Sequence, residues 1–518
     1  MYHRLLLTLG FAPTLSSAFR PSIAAFVPAT VTTRGVADRP ASHPSRNTRT
    51  RHKMSDEAFA NQSKSGEIPS YDGDEKAKAT DFANYFCSYA QLYHQKQMLV
   101  DHNRMASYHQ AIMGNTDVFK DKVRHNYNNY AQLFMHLFIL YTGTASKSFL
   151  TPTLVPSLRR RFTCIVDQVV MDVGTGSGIL AVWAALAGAK KVYAIEYTDM
   201  ANHARQVVEA NGVSDIVTVI QGAVEDIQLP IAEDGLEAEE DGGTLVVDIM
   251  VSEWMGYFLL RESMLDSVIR ARDKYLKKKT GLMMPSHCTM YVAPVYDEDD
   301  RSQSVHEYSH TMDDWSEFVE STRSLYGVNM GVLGKDFDRE QKEYYLLSSR
   351  WAELGATQVL AEPKVVKAYD MSTCTLEDSR GIAHGEEMAT FDFDIDADST
   401  DEECVSGLAG WFTSDFKSRT DEGGADAPKI NPAFLSTAPD AGYTHWGQQV
   451  MHFLAKTPLL QGETTRLQGS VELMRTKENA RLYNCRLRFS NSRRKTAEAK
   501  DGNILMQGPN VEHVYQIP

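Results

Sequence analysis

The sequence predicts two folded domains, an α/β domain in the first half of the chain and a β-rich domain in the second. Residues 169–188 show a β-branched strand pattern, a glycine-rich turn and a helix pattern that Gly188 closes. After Pro285 apolar and polar residues alternate, as they do in half-buried strands. A length of 518 residues and an apolar content of 42% are sufficient for two domains.

The first predicted strand runs into a glycine-rich turn, Asp172-Val173-Gly174-Thr175-Gly176-Ser177-Gly178. Gly174 and Gly176 let a ligand approach the backbone closely, and the helix that follows offers free N–H groups. A second strand pattern ends in Glu196, an acid whose position suits a ribose diol. A third strand pattern is followed by Glu225, which is placed to face an adenine. The glycine spacing differs from Gly-x-Gly-x-x-Gly and argues against NAD, although an ordinary β-turn-α unit with packing glycines would read the same way.

Residues 252–263, SEWMGYFLLRES, set Glu253 and Glu262 nine residues apart around an apolar and aromatic turn. They follow a strand-like run at 245–251. Carboxylates beside apolar residues are costly to bury unless they meet a cation. A pair of them in one pocket forms a fork for a planar guanidinium, whereas the alternative is two unrelated surface glutamates.

Four motifs in order give the chain its resemblance to a known family. They are Tyr85-Phe86-Cys87-Ser88-Tyr89, the glycine turn at 172–178, the double-glutamate loop at 252–264, and Thr444-His445-Trp446. From about Asp81 to its end the chain resembles the protein arginine N-methyltransferases of type I. Details of the loops are most similar to the plant-type protein arginine methyltransferase 10 group.

The resemblance implies an α/β fold: a Rossmann-like S-adenosylmethionine-dependent methyltransferase domain at 81–285, then a β-barrel substrate domain at 286–518. A helical arm at about 312–354 is expected to join two copies into a homodimer. Within the second domain, the alternation itself predicts strands at 288–293, 365–369, 387–393, 407–416, 448–454, 465–473 and 482–489. Helices are predicted at 312–326 and 338–354.

The resemblance also implies the site residues. The expected catalytic residues are Glu253, Glu262 and His445, with His445 hydrogen-bonded to an acid from the N-terminal helices. S-adenosylmethionine is the expected cofactor, and its expected contacts are Tyr89, Gln95, Arg104, Asp172, Gly174, Gly176, Glu196 and Glu225. The expected substrate pocket includes Met98, Met264 and Trp446, and Met264 belongs to the resemblance with enzymes that form asymmetric dimethylarginine. No metal site is predicted.

The charge distribution bears on the partners. The formal net charge is −15, while residues 1–53 carry eight basic residues and one acid. The remainder is therefore strongly acidic, which suits arginine-rich protein substrates such as histone tails or arginine-glycine-rich RNA-binding proteins, and disfavours direct nucleic-acid binding. No apolar run reaches membrane-spanning length. Six scattered cysteines without a Cys-x-x-Cys pair argue against a disulfide framework or a zinc site.

Residues 1–80 are predicted to be disordered, and the basic part at 1–53 is typical of a plastid or mitochondrial transit segment. The alternative is that synthesis starts at Met54, with a protein of the cytoplasm and nucleus. Residues 124–168 form an insertion with a single acid, Asp167, which we interpret as a loop or a retained intron without a catalytic role. A second insertion at 233–243 is predicted to be a solvated acidic loop.

Two other functions are weighed against arginine methylation. One is a methyltransferase that acts on a small molecule. The other is a catalytically silent scaffold that binds arginine-rich proteins.

Overall fold

The computed structural model describes residues 85–119, 168–236, 238, 244–397, 403–419, 428–476, 479–496 and 504–517. The predicted transit segment lies outside these ranges, and so does the 124–168 insertion except for Gln168. The predictions for both segments are therefore outside the described residues.

A five-stranded parallel sheet forms the centre of the first domain, with the strand order β3-β2-β1-β4-β5. Its strands are β1 (Val169–Val173), β2 (Lys191–Glu196), β3 (Val217–Gln221), β4 (Ile249–Val251) and β5 (Leu282–Met284). The order in which strands are added to the sheet reverses at β1. Strands β2 and β3 are added on one side of β1, and β4 and β5 on the other. A crevice opens at the carboxyl ends of strands at such a reversal, and ligands bind there. The sheet thus positions the site beyond Val173.

Seven helices of the described residues belong to this domain. They are α1 (Cys87–Tyr89), α2 (Leu92–Leu99), α3 (His102–Met113), α4 (Thr116–Phe119), α5 (Ile179–Ala187), α6 (Met200–Ala210) and α7 (Leu265–Tyr275). Helix α3 begins at Asp101, whose side chain accepts a hydrogen bond from the N–H of Arg104, and it packs against α5. This packing carries α1 and α2 over the carboxyl end of β1.

Two antiparallel sheets form the second domain, and together with the parallel sheet they confirm the predicted fold class. One sheet has the order β7-β13-β11-β6-β8 with β12 beside β11, and the other β10-β14-β15 with β16 and β17 beside β15 and β9 beside β14. Their strands are β6 (His287–Val295), β7 (Arg350–Ala352), β8 (Lys364–Asp370), β9 (Gly381–Ile382), β10 (Thr390–Asp396), β11 (Cys404–Phe416), β12 (Ala433–Ser436), β13 (Gln448–Pro458), β14 (Glu463–Arg475), β15 (Tyr483–Lys495), β16 (Met506–Gln507) and β17 (Val511–Ile517).

The helical arm differs from its predicted bounds. Helix α8 runs over Glu298–Tyr326 and so begins fourteen residues before position 312, while α9 ends at Tyr345 and is followed by the strand Arg350–Ala352. The first turn of α8 is acidic and lacks apolar periodicity, so the apolar pattern missed it. Acidic side chains at a helix N-terminus are nonetheless favourable because they face the positive end of the helix dipole.

Two further predictions need correction. The strand expected at 245–251 is regular only over Ile249–Val251, and the Asp248 carboxylate before it accepts hydrogen bonds from Val169 N and Lys277 Nζ. The insertion at 233–243 is not merely solvated, since Asp234 accepts hydrogen bonds from Lys191 Nζ at 2.8 Å and Tyr193 Oη at 2.6 Å. In the part of the chain that is described, no helix has the length and apolar character needed to cross a membrane.

Candidate active site

A cavity lies at the carboxyl end of β1, and the glycine turn forms its floor. Gly174 and Gly176 have φ angles of +74° and +53°, in the left-handed region. A Cβ atom at Gly174 would lie 2.3 Å from Met264 Cε, and one at Gly176 would lie 2.7 Å from Gln95 Oε1. The backbone conformation therefore favours glycine at both positions, and the ends of the Met264 and Gln95 side chains would have to shift to admit a Cβ atom.

Glu196 lies at the end of β2 and lines this cavity from the side. Its Oε2 accepts a hydrogen bond from Gly176 N at 2.9 Å, and its Oε1 accepts from Thr198 N and Thr198 Oγ1 at 2.9 and 2.7 Å. The carboxylate thus fixes the glycine turn. A carboxylate oxygen accepts through two lone pairs, so Oε2, which among the described residues accepts only from Gly176 N, retains capacity for a ligand hydroxyl group.

Glu225 and Asp172 were both predicted to contact the cofactor, and the structure places them differently. Glu225 lines the cavity and accepts a hydrogen bond from Ser267 Oγ at 2.6 Å. Asp172 is buried behind the turn, is not among the residues that line the cavity, and accepts a hydrogen bond from Thr175 Oγ1 at 2.6 Å. Burial raises the pKa of Asp172 to about 7. Asp172 therefore supports the turn from below.

The N-terminal helices form a lid over the cavity, with Tyr85, Tyr89 and Gln95 on its inner face. Gln95 is buried and donates a hydrogen bond from Nε2 to the backbone oxygen of Tyr89. Arg481 clamps the lid from the second domain, because its guanidinium carbon lies 4.0 Å from the ring centre of Tyr85 and 4.8 Å from that of Phe86. Our sequence reasoning missed Arg481, which stands in no motif.

A second cavity adjoins the first and contains the double-glutamate loop. Four residues of this loop other than glycine have positive φ angles: Phe258 at 47°, Leu259 at 67°, Glu262 at 83° and Ser263 at 57°. Such conformations are strained for residues with a Cβ atom and cluster at functional sites. The turn before β15 holds the loop in place, since Glu262 N donates to Arg481 O at 2.8 Å and Ser263 Oγ donates to Ala480 O at 2.6 Å.

The two predicted catalytic glutamates enter this second cavity with different partners. Glu253 Oε2 accepts from Arg104 Nε and Nη2 at 3.0 and 2.7 Å. Glu262 Oε2 accepts from Tyr89 Oη at 2.7 Å, and its Oε1 lies 3.2 Å from Arg261 Nη1. Burial raises the pKa of Glu262 above its ordinary value, and Arg261 and the hydrogen bonds from Tyr89 and Tyr85 offset this only in part.

His445 lies in the same cavity, as predicted, and is hydrogen-bonded to an acid from the N-terminal helices. That acid is Asp101, whose Oδ2 lies 2.8 Å from both Nδ1 and the backbone N of His445. Burial alone would raise the pKa of Asp101, but hydrogen bonds from His445 and from Arg104 N lower it. Trp446 packs against the His445 ring and donates from Nε1 to Met255 O at 2.8 Å.

The two cavities share a wall formed by Tyr89, Met98, Glu253 and Met264, with Arg481 at its edge. A ligand that lies on the glycine turn therefore reaches the double-glutamate cavity across this wall. One side offers carboxylates for hydroxyl and amine groups together with the cation Arg104. The other offers the two partly buried carboxylates of Glu253 and Glu262. This arrangement is suited to group transfer between a nucleotide-like donor and a cationic acceptor.

In the described residues one group has the ligand types of a metal site, Asp297, Asp300 and His452 at the start of the arm. His452 Nε2 lies 2.9 Å from Asp297 Oδ2, within hydrogen-bonding distance of that carboxylate. The expectation that the protein uses no metal stays a prediction.

Residues 286–494 match the model of the arginine methyltransferase oligomerization subdomain, and residues 162–242 match that of the ribosomal protein L11 methyltransferase. The chain is 42% identical over 406 residues to a protein arginine N-methyltransferase, PRMT10, of Oryza sativa subsp. japonica, an alignment that covers 78% of this chain and 87% of that protein. It is 38% identical over 412 residues to PRMT10 of Arabidopsis thaliana, with coverages of 79% and 87%.

Solved structures give the same result at the level of the fold. The crystal structure of Arabidopsis protein arginine methyltransferase 10, described as uniquely open, is 35% identical, covers 84% of this chain and 100% of that chain, and has a TM-score of 0.64. The Trypanosoma brucei PRMT1 enzyme-prozyme complex with AdoHcy is 24% identical, covers 83% and 100%, and has a TM-score of 0.53.

Proposed function

The chain belongs to the protein arginine N-methyltransferase family, and on this premise we propose that it transfers methyl groups from S-adenosylmethionine to arginine side chains of proteins, giving monomethylarginine and asymmetric dimethylarginine. One observation carries the proposal. Two partly buried carboxylates, Glu253 and Glu262, lie in a cavity that shares a wall with the cavity on the glycine turn. A guanidinium is the cation whose planar set of donors fits such a fork.

The residues around the first cavity fit S-adenosylmethionine. The glycine turn provides space that a Cβ atom would fill, Glu196 and Glu225 supply acceptors for hydroxyl and amine groups, and Arg104 supplies a cation for a carboxylate. Glu196 would hold the ribose, Glu225 the adenine side and Arg104 the amino-acid end. When bound, the cofactor supplies a methyl group made electrophilic by its sulfonium.

The residues around the second cavity then act on the substrate arginine. Arginine stays protonated because its pKa exceeds about 12, and its charge is delocalised, so its nitrogens are poor nucleophiles. Glu253 and Glu262 accept its N–H groups and draw positive charge away from the attacking nitrogen. Burial raises the pKa of Glu262, so this carboxylate also accepts more readily the proton that the attacking nitrogen loses. The pair Asp101–His445 narrows the pocket and fixes the substrate's orientation.

Met98 and Met264 bear on which isomer of dimethylarginine is formed. Met98 and Met264 line both cavities, and their side chains bound the space in which a monomethylated guanidinium turns to present a nitrogen again. We infer that this space admits two methyl groups on one nitrogen. The test is incubation of the full chain with S-adenosylmethionine and an arginine-glycine-rich peptide, followed by mass spectrometry that separates the two dimethyl isomers. Symmetric dimethylarginine alone would contradict the assignment, and no methylation at all would favour the silent scaffold.

We also propose a homodimer that forms through the arm α8–α9. Four apolar side chains of the arm are strongly exposed, Leu325, Tyr326, Val332 and Tyr344, while Trp315 is partly covered by stacking on Phe337. The arm thus covers some of its aromatic surface on itself, whereas Leu325, Tyr326 and Val332 near its tip remain exposed. Contiguous exposed apolar surface marks an association site. This face fits a second copy of the chain.

The dimer is tested by sedimentation of the parent chain and of Leu325→Glu. The change should weaken self-association by about tenfold or more, since burial of one leucine is worth roughly 1.5–3 kcal/mol. Leu460→Glu, at an exposed turn between β13 and β14, is the matched control and should leave the sedimentation profile unchanged. A monomeric parent protein that methylates its substrate would overturn the proposal.

A further inference from the structure

Arg261 lies directly before Glu262 and lines the cavity of the double-glutamate loop, although none of the motifs assigned it a role. Its guanidinium carbon lies 5.5 Å from the ring centre of Tyr257. Its Nη1 makes a single contact of 3.2 Å with Glu262 Oε1, and its Nε is buried without a hydrogen-bond partner. The chain therefore places a guanidinium of its own where the substrate guanidinium is expected.

This contact depends on the strained loop. In helices and strands, adjacent side chains point apart. Glu262 has a φ angle of +83°, and its backbone is fixed from the second domain by the hydrogen bond to Arg481 O. That conformation turns the Glu262 carboxylate back towards the side chain of its neighbour. The pairing of Arg261 with Glu262 is thus a consequence of how the loop is held.

Several titratable or charged groups face Glu262. Tyr85 and Tyr89 approach from the N-terminal lid, Glu253 from its own loop, His94 and His445 from the remaining cavity wall, and Arg481 from the second domain. Arg481 donates from Nη1 to the backbone oxygen of Glu262 and stacks on the lid. Burial raises the pKa of Glu262, and Arg261 is the foremost group that opposes this rise. A carboxylate that becomes protonated loses the charge needed to polarise an arginine.

Resting on the proposed function, we propose that Arg261 is a positioning residue that keeps Glu262 ionised and aimed into the pocket, and that it yields Oε1 to the substrate guanidinium. The geometry favours exchange over a permanent pair. The contact is single rather than bidentate, one donor of Arg261 is unsatisfied, and a quarter of its side chain is exposed, 25%. The guanidinium of the substrate therefore replaces that of Arg261 at Glu262 Oε1.

The test compares Arg261→Met, Arg261→Lys and the parent enzyme over about pH 6 to 9 with an arginine-glycine-rich peptide. Without the cation, Glu262 becomes protonated at a higher pH, so the acid limb of kcat/KM should move to higher pH. On that limb Arg261→Met should lose about two- to fivefold, the range expected for a partly exposed ion pair. At the alkaline end it should match or exceed the parent, because a like charge has left the pocket. Arg261→Lys should restore the acid limb.

The Met variant should fold, because it removes a buried donor that has no partner. Arg205→Met, which alters an exposed arginine on α6, controls for the loss of one positive charge and should leave the profile unchanged. An equal loss at every pH would indicate a merely structural role, and an unchanged profile would show no role; either result overturns the inference.

A second measurement separates this inference from the proposed function. Infrared difference spectra across the same pH range, with Glu262→Gln to identify the band, report the protonation of Glu262 without turnover. The band should titrate at a higher pH in Arg261→Met than in the parent. If the parent chain methylates nothing, the proposed function fails, and the infrared titration still decides whether Arg261 governs the charge of Glu262.

Discussion

The glycine turn and the double-glutamate loop meet where Met264 of the loop closes over Gly174, and both use left-handed backbone. The turn does so with Gly174, Gly176 and Gly178, whereas the loop does so with Phe258, Leu259, Glu262 and Ser263. Glycine adopts this conformation without steric cost, while a residue with a side chain pays of order 1–3 kcal/mol. The cofactor side, which is the glycine turn with its cavity, is therefore locally stable. The guanidinium side, which is the double-glutamate loop with its cavity, persists because distant segments hold it.

The holding contacts show the same contrast. The turn is fixed by residues at most about twenty positions away, through hydrogen bonds to Asp172, to the backbone oxygen of Ile195 and to Glu196. The loop is fixed by Ala480 and Arg481, more than two hundred residues away, and by Tyr89 from the lid. We therefore expect cofactor binding and turnover to be separable in this molecule, because different parts of the chain maintain them.

The largest expected effect comes from Glu262→Gln, which breaks the guanidinium side alone. The change is nearly isosteric and removes the charge that polarises the substrate, so kcat should fall by about 10² to 10³. The dissociation constant of the cofactor, measured by calorimetry, should remain within about twofold. Glu209→Gln, an exposed change on α6, serves as the control. Activity within a few-fold of the parent would show that Glu262 is not the polarising residue.

The converse change is Gly174→Ala, which should damage the cofactor side. The added methyl meets Met264 Cε at 2.3 Å and sits on a left-handed backbone. Cofactor affinity should drop by about 10- to 100-fold, since overpacking typically costs about 1–3 kcal/mol. Gly212→Ala is the matched control, because Gly212 also has positive φ but nothing within 4 Å of the new methyl. Equal effects of the two changes would mean that backbone strain, and not the cavity, is responsible.

A smaller effect is expected from Asp101→Asn, which acts between the two sides. The amide oxygen can still accept from Arg104 N at the start of α3, but the charge that faces His445 is lost. We expect kcat/KM to fall by about 5- to 30-fold, which corresponds to the roughly 1–2 kcal/mol lost with a charged hydrogen bond. The melting temperature should fall only modestly, since the helix cap is kept and the main loss is the acceptor that Oδ2 offers to His445 N. A large fall in melting temperature with normal kinetics would assign Asp101 to folding instead.

The smallest effect should come from Tyr89→Phe. Tyr89 lies on the wall that the two cavities share, so the change tests both sides at once. The variant keeps the ring that covers the cofactor cavity and loses only the 2.7 Å hydrogen bond to Glu262 Oε2. A loss of about two- to tenfold in kcat is expected from one hydrogen bond, with unchanged cofactor binding. If cofactor binding weakens instead, the two sides are less separable than the structure indicates.

Much of the fold and of the cofactor side was predictable from the sequence. The strand Val169–Val173, the glycine turn and Glu196 belong to one β-α-β unit, in which short-range pattern and chain geometry coincide. The acidic start of α8 and the strand Arg350–Ala352 were not predicted, since neither has a clear apolar period. Asp172 fits the motif but lies behind the turn, because successive strand residues face opposite sides of the sheet.

The guanidinium side was predictable only in its residue types. The sequence by itself determined the two glutamates, the histidine and the glycines, because these chemical groups stand in local motifs with fixed spacing. Only the tertiary structure decided that Asp101 pairs with His445, that Arg481 clamps the lid, and that Arg261 pairs with Glu262. The first two pairings join residues hundreds of positions apart, and the third requires a backbone conformation that residues with side chains avoid unless the surrounding fold imposes it.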